Sequence, residues 1–277
     1  MTLRVLQNHR MLALGVQITE LCAPGCLICI AQGHAQTPRS MTPDTFERVL
    51  LEARALGISR VVLTGGEPLV HEELNALVDL IEAIDVQVDL VSTGYRLEQR
   101  EPALKRLGKR LASIGAEFLG GTASTHERMN GRAGSFQEAR GVLEAAAELD
   151  IPRRARLIPT PEALREIDGF RAAVARFAPE TIVDRSSSHL PKSAAELRTS
   201  SGRCGDSGGE VVAAVSAAGR VFPCLASIGG QAIDEEQAPL LEVRLREALS
   251  TVEPVTGRRC GGCREVFARG LAALPRG

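Results

Sequence analysis

The spacing of apolar positions divides the chain into short β-branched runs and longer amphipathic stretches. The run from Met11 to Thr19 reads as a buried first strand. Arg60–Thr64, Val86–Ser92, Glu117–Ala123, Arg154–Pro159 and Thr181–Asp184 read as five more. Between them lie segments with apolar residues three and four apart, the signature of a helix with one buried face. The first spans 42–57 and carries Phe46, Val49, Leu50 and Ala53; the second spans 71–83 and carries Leu74, Leu77, Leu80 and Ile81. The others are 98–114, with Leu104, Leu107 and Leu111, then 135–149 and 161–175. Thr42 and Thr160 each stand before a proline, which suits a cap followed by the first helical turn. Ser135 with Glu138 predicts a capping box. Six strands alternating with five helical segments predict an α/β fold of parallel βαβ units with right-handed crossovers. Functional residues are then expected on the loops after the carboxyl ends of the strands. Beyond residue 200 the pattern changes. Glu210–Val215 and Arg220–Cys224 flank the turn Ser216-Ala-Ala-Gly219 and predict a hairpin, and 240–249 reads as a helix.

Composition narrows the class. Hydrophobic residues make up 44% of the 277, enough for one large domain or a large and a small one. The division expected is 1–190 and 191–277. A net charge of −1 argues against nucleic acid or an anionic membrane as partner. Aromatics are 3% with no Trp, which argues against a base-stacking platform. No apolar run approaches the roughly 20 residues of a membrane span. Met1–Arg10 lacks an apolar signal core, so a cytoplasmic protein is expected.

The seven cysteines fall into two groups. Cys22-Ala-Pro-Gly-Cys26-Leu-Ile-Cys29 follows the first strand with the spacing C-x3-C-x2-C. Three thiolates are one short of an ordinary iron–sulfur cube or a structural zinc site. They suit a cubane with one iron open to another ligand; three buried or zinc-bound cysteines are the alternative. Cys204, Cys224, Cys260 and Cys263 have the spacing C-x19-C…C-x2-C and can hold one metal centre, zinc or iron–sulfur equally. Each strand end carries a further motif. Thr64-Gly65-Gly66-Glu67-Pro68 follows the second: paired glycines admit close backbone approach to a ligand, and Glu67 or exposed carbonyls can accept from an ammonium group. Ser92-Thr93-Gly94-Tyr95 follows the third, and Gly121-Thr122-Ala123-Ser124 the fourth. Arg156, on the fifth, can grip a carboxylate bidentately. Asp184-Arg185-Ser186-Ser187-Ser188-His189 ends the sixth as a polar cluster at the mouth.

The cysteine loop after the first strand, with Gly65-Gly66-Glu67-Pro68 after the second, resembles the radical SAM superfamily. Residues 126–136 are similar to that family's H-x-x-x-R-G-x-x-G-S-F run. The resemblance implies a partial (β/α)6 TIM-type barrel. It implies a [4Fe–4S] cluster on Cys22, Cys26 and Cys29, its open iron chelated by S-adenosylmethionine (SAM). Gly65, Gly66, Glu67 and Pro68 would meet the SAM amino group. Ser92 and Thr93 would reach the ribose or methionine end, Thr122 or Ser124 the carboxylate or ribose, and Arg156 the carboxylate. Ile28 replaces the usual aromatic residue, and the aspartate usual after the fourth strand is missing. His126 is expected to be a structural helix residue. The late cysteines around a hairpin, with Gly219 five positions before Cys224, resemble the Twitch module, a shortened SPASM domain. That likeness implies a small hairpin–helix iron–sulfur module with a second [4Fe–4S] cluster on Cys204, Cys224, Cys260 and Cys263. The implied chemistry is one-electron cleavage of SAM to a 5′-deoxyadenosyl radical that takes a substrate hydrogen. An electron donor such as flavodoxin or ferredoxin is then needed. With three plus four cysteines assigned as ligands, no thiol remains to return hydrogen, so oxidation is expected over epimerisation. Asp184 is the candidate base. A polar mouth and a short N-terminal segment favour a small-molecule substrate, an aminocyclitol or aminoglycoside intermediate of antibiotic biosynthesis, over a short peptide. A non-catalytic zinc-binding protein is the reading from outside this class.

Overall fold

The computed structural model describes residues 12–23, 26, 37–158, 160–178, 180–183, 210–222, 228, 245 and 247. Asp184, Cys29 and the four late cysteines lie outside the described residues, as do Ile28 and, apart from the helical Leu245 and Glu247, the helix expected at 240–249.

The strands are β1 (Leu12–Thr19), β2 (Arg60–Gly65), β3 (Gln87–Ser92), β4 (Leu111–Phe118), β5 (Arg153–Leu157), β6 (Glu180–Val183), β7 (Glu210–Val215) and β8 (Val221–Phe222). They form one sheet in the order β6-β5-β4-β3-β2-β1-β7-β8. Strands β1 to β6 pair in parallel, with helices α1 (Pro43–Ala55), α2 (Leu74–Ile84), α3 (Leu97–Leu107), α4 (Ala123–Asn130), α5 (Ser135–Glu148), α6 (Pro161–Arg165) and α7 (Ile167–Val174) in the connections. This is the partial (β/α)6 TIM-type barrel. The predicted hairpin is β7–β8, and it continues the sheet: β7 pairs in parallel with β1 and antiparallel with β8. Its turn is closed by Gly219 N–H to the Ser216 carbonyl at 2.8 Å, with Gly219 at φ 72°. Buried Gln17 of β1 fastens it by accepting from Ala217 N–H at 3.1 Å. No helix among the described residues is long and apolar enough to cross a membrane.

Four expected elements shift. The helix read as 98–114 ends at Leu107, and Leu111 opens β4 instead of closing that helix. Leu111 sits at helical spacing from Leu107, but β4 is buried on both faces, which hides its alternation. The strand read as 117–123 therefore runs Leu111–Phe118, and Ala123 begins α4. The capping box at Ser135 does not form: Gly134 is the cap, the Ser135 hydroxyl donates to the Arg132 carbonyl, and Glu138 pairs with Arg132. The helix read as 161–175 breaks at Glu166 into α6 and α7.

The sheet has two unlike faces. Leu14, Val61, Leu63, Leu90, Ile114 and Leu157 face the helices and belong to the main core. The register puts Gly15, Val62 and Asp89 on the other face, and then Ser113, Gly115, Glu117, Arg154 and Arg156. The inner wall is thus polar and small-residue lined, with a separate apolar cluster of Ala13, Val62 and Val91. At its amino-terminal end, buried Asp89 accepts from Arg60 Nε and Nη2 at 2.5 Å each, and from the Ser113 hydroxyl. Such a charge is tolerable inside only when paired and hydrogen-bonded, as here.

His126 is a structural residue. It is buried against Phe118 and Phe136, its ring 5.8 and 5.6 Å from theirs, and its Nδ1 accepts from Leu119 N–H at 3.1 Å. Desolvation, and then the Arg132 charge, lower its pKa from 6.5 to about 4. The unfolded chain binds that proton first, so the stability this group contributes is full above pH 6.5 and lost as pH falls towards about 4. Urea unfolding should lose on the order of 3 kcal/mol to this group across that window. In His126→Asn, whose side-chain oxygen can replace the Nδ1 acceptor, that part of the slope should vanish.

Candidate active site

The motif loops gather at the carboxyl ends of the strands. The cysteine loop leaves β1 at Thr19, and Cys22 and Cys26 are half-buried thiols outside any disulfide. Residues 19–21 form a rail shared by two neighbours. On one side Thr19 makes an antiparallel bridge with Ser40, and Glu20 N–H donates to the Arg39 carbonyl at 2.8 Å. On the other, Gly66 N–H donates to the Thr19 carbonyl and Glu67 N–H to the Leu21 carbonyl, both at 2.7 Å. A Cβ on Gly65 would fall on the Thr19 carbonyl oxygen, and one on Gly66 on that of Leu21, far inside contact distance. The paired glycines, expected to admit a ligand, are thus already required by the approach of this turn to the cysteine loop.

Glu67 is fully buried, and both carboxylate oxygens are engaged. Oε1 accepts from Leu69 N–H at 3.0 Å and from the Ser92 hydroxyl at 2.9 Å. Oε2 accepts from Thr93 N–H at 2.7 Å and from the Thr93 hydroxyl at 2.6 Å. Burial raises the Glu67 pKa, and these four bonds oppose the rise. A carboxylate has about four lone-pair sites, and four donors fill them. Of the two acceptors expected for a ligand ammonium, Glu67 or exposed carbonyls, the Glu67 carboxylate is engaged within the protein, bracing the second loop against the third. The Ser92 and Thr93 hydroxyl protons are committed to it. The half-exposed backbone of Thr64, Gly65 and Gly66 is left to face a ligand, with Pro68 buried behind it at the start of a short 3-10 turn. His71 ties that turn to the far end of the cysteine loop. Its Nδ1 accepts from Glu73 N–H, which leaves Nε2–H to donate to the Met41 carbonyl at 2.9 Å.

After β4, Thr122 caps α4 by accepting from Thr125 N–H at 3.2 Å. Sequence reasoning missed its partner, Glu166, at the break between α6 and α7. The Glu166 carboxylate accepts from Gly121 N–H at 2.9 Å, Thr122 N–H at 3.2 Å, and the Thr122 and Thr125 hydroxyls at 3.2 and 2.6 Å. Burial opposes its ionisation, but these bonds outweigh burial and lower its pKa. An acidic residue at a helix break is the only signal the sequence offered for it. Thr122 is thus occupied in this cap, while Ser124 on the first turn of α4 is exposed. Arg156 runs over Gly115 on the inner wall: a Cβ there would lie 2.8 Å from Arg156 Cδ. In register, Arg156 stands beside Glu117. Tyr95 is half-buried at the rim, with the Arg132 guanidinium 4.3 Å from its ring centroid and that of Arg96 5.6 Å away.

The donor set fits an iron–sulfur cluster. Thiolates are its usual ligands, and residues 19–21, which lead into the thiol loop, are held against the half-exposed Gly65–Gly66 turn. If Glu67 is the brace, Glu67→Gln must turn an amide NH2 towards N–H groups it cannot accept from. The variant should lose about 1–3 kcal/mol in urea unfolding, and its affinity for SAM should fall while iron bound at the cysteine loop is unchanged. Equal stability and equal SAM affinity would refute the brace.

A family model, Radical SAM superfamily, matches residues 16–167. The sporulation killing factor maturation protein SkfB of Bacillus subtilis is 25% identical over 148 residues, 53% of this chain and 35% of that protein. A probable GTP 3′,8-cyclase of Pyrococcus abyssi is 30% identical over 106 residues, 38% of this chain and 35% of that protein. The chain thus matches about a third of the length of either relative. Among solved structures, native anSMEcpe with bound AdoMet aligns with a TM-score of 0.65 at 14% identity, over 94% of this chain and 84% of that one. Streptococcus suis SuiB bound to precursor peptide SuiA aligns with a TM-score of 0.57 at 14% identity, over 92% and 66%. These structures share the fold. The family match spans more than half of the chain and includes both the cysteine loop and the Gly65–Gly66 turn, so the chain belongs to the radical SAM superfamily.

Proposed function

We propose that the protein is a radical SAM oxidoreductase that removes two hydrogens from a small polar substrate. One observation carries the reaction type: the seven cysteines divide into three and four, which leaves no thiol to return hydrogen to a substrate radical. Cys22, Cys26 and Cys29 would hold one [4Fe–4S] cluster, and the backbone of Gly65 and Gly66, with Thr93, Ser124 and Arg156, would hold SAM; Ser92, buried and bonded to Glu67 and Gly94, would act from behind them. Together these groups supply a 5′-deoxyadenosyl radical, which accepts the hydrogen atom from a substrate carbon. The rest of the balance falls to the protein. The second electron goes to a cluster on Cys204, Cys224, Cys260 and Cys263, and Asp184 takes the hydroxyl proton, which leaves a carbonyl. A barrel of residues 1–190 and a Twitch-like module of 191–277, whose hairpin β7–β8 extends the barrel's sheet, would divide these tasks. A flavodoxin or ferredoxin is the proposed electron donor, and the cytoplasm the proposed location. The polar inner wall supports a hydroxyl- and amine-bearing substrate, with an aminocyclitol or aminoglycoside the leading class. A peptide substrate is the second reading, favoured by the likeness to SuiB, a structure solved with its precursor peptide.

Two measurements test this. Anaerobically reconstituted protein should hold about eight iron atoms, and Cys22→Ala should lose about half and all SAM cleavage. A colourless protein holding zinc would instead support a binding module. In deuterated water with a turned-over substrate, the product should be lighter by two hydrogens, and Cys260→Ala should still cleave SAM without turnover. A product unchanged from the substrate in composition except for one solvent deuterium on carbon would mean epimerisation.

A further inference from the structure

The neck of the cysteine loop carries a constraint that loop closure alone does not need. At this neck the end of β1 and the segment 39–41 are joined by two short backbone pairings: Glu20 N–H to the Arg39 carbonyl and Met41 N–H to the Ile18 carbonyl, each 2.8 Å. Thr19 and Ser40 bridge between them, their hydroxyl oxygens 2.7 Å apart. That ladder already closes the loop. Across it lies a buried charge as well. Glu20 is 4% exposed, yet its carboxylate accepts from Arg39 N–H at 2.9 Å and from Arg39 Nε at 3.0 Å, with Nη2 as a further donor. Burying a carboxylate is costly unless a fork of this kind satisfies it, and in return a planar guanidinium fixes orientation as well as distance. Glu20 is the centre of the rail whose flanking carbonyls, Thr19 and Leu21, hold Gly66 and Glu67. Cys22 comes next after Leu21. Anything that tilts Glu20 moves the thiol loop and the glycine turn relative to each other.

We propose that Glu20 and Arg39 are positioning residues that set the register between the cysteine loop and the Gly65–Gly66 turn, and so between the cluster and bound SAM. The proposal rests on the reading of that turn as the SAM site. Neither residue touches a reacting atom.

The test uses the full chain, reconstituted anaerobically, as wild type, Arg39→Ala and Arg39→Lys. Iron content, the SAM dissociation constant, and the EPR spectrum of the reduced cluster with and without SAM are measured. Arg39→Ala should keep the iron of the cysteine loop but bind SAM about tenfold more weakly, the size of effect usual for residues that orient a metal's ligands. Its SAM-induced EPR change should shrink with it. Arg39→Lys keeps the charge but not the fork, so it should recover only part of both. If Arg39→Ala does not fold, Arg39→Lys decides by the same two readouts. Wild-type SAM affinity and a wild-type EPR response, even with a lowered Tm, would overturn the proposal and leave the pair as a loop closure. A wild-type chain whose cluster shows no response to SAM would overturn this proposal and the functional reading together.

Discussion

The top of this barrel depends on one close approach, that of the Gly65–Glu67 backbone to residues 19–21. Two N–H groups reach two carbonyls at 2.7 Å, a distance that leaves no room for a Cβ on either glycine. The rest follows from geometry. Drawing the turn in buries Glu67, and a buried carboxylate must find donors. It finds them on the next loop, at Ser92 and Thr93, so the third strand end is located by the second. Three loops that meet one cofactor on the proposed reading are thereby fixed to each other by protein contacts. That is the preorganisation a radical reaction needs, since a loose site would let water or the protein itself meet the radical.

Most of the fold was legible because its signals are local. Strand and helix order, the caps at Thr42 and Thr160 and the hairpin turn at Gly219 each rest on residues close in sequence. The α3–β4 boundary was not legible, because a strand buried on both faces loses the alternation that marks it. The site divides in the same way. Its loops were legible from motif spacing. The roles inside them were not, since Glu67, Glu166 and Glu20 act through partners 25, 44 and 19 residues away. A single sequence records that a carboxylate is present at such a position, and nothing of which donors fold around it.

The same limit explains Thr122 and Arg156. The threonine was expected to face a ligand, and its hydroxyl is instead shared between a helix cap and Glu166. A carboxylate reaches this loop from α6–α7, with Gly121 leaving space for it: a Cβ there would meet Glu166 Cβ at 2.5 Å. Arg156 depends on Gly115 in the same manner. In both cases a glycine on one strand or loop makes room for a long polar side chain from its neighbour. Polarity thus reaches the inner wall without opening the apolar layer beneath the helices.

The hairpin settles how a half-barrel ends. A six-stranded parallel sheet leaves β1 with an unpaired edge, and an exposed edge of buried apolar residues invites pairing with another chain. Here β7 takes that edge over five register pairs, and Gln17, a buried amide in the middle of the cluster-bearing strand, accepts from the hairpin turn. Without the hairpin, the Gln17 carbonyl oxygen would lose a protein donor, and Leu14 and Val16 would lose a neighbouring strand. The strand that delivers the cysteine loop is therefore held on one side by β2 and on the other by the C-terminal part of the chain. The hairpin is more than a carrier for later cysteines. It is a wall of the barrel, paired along the strand from which the first cysteine loop departs.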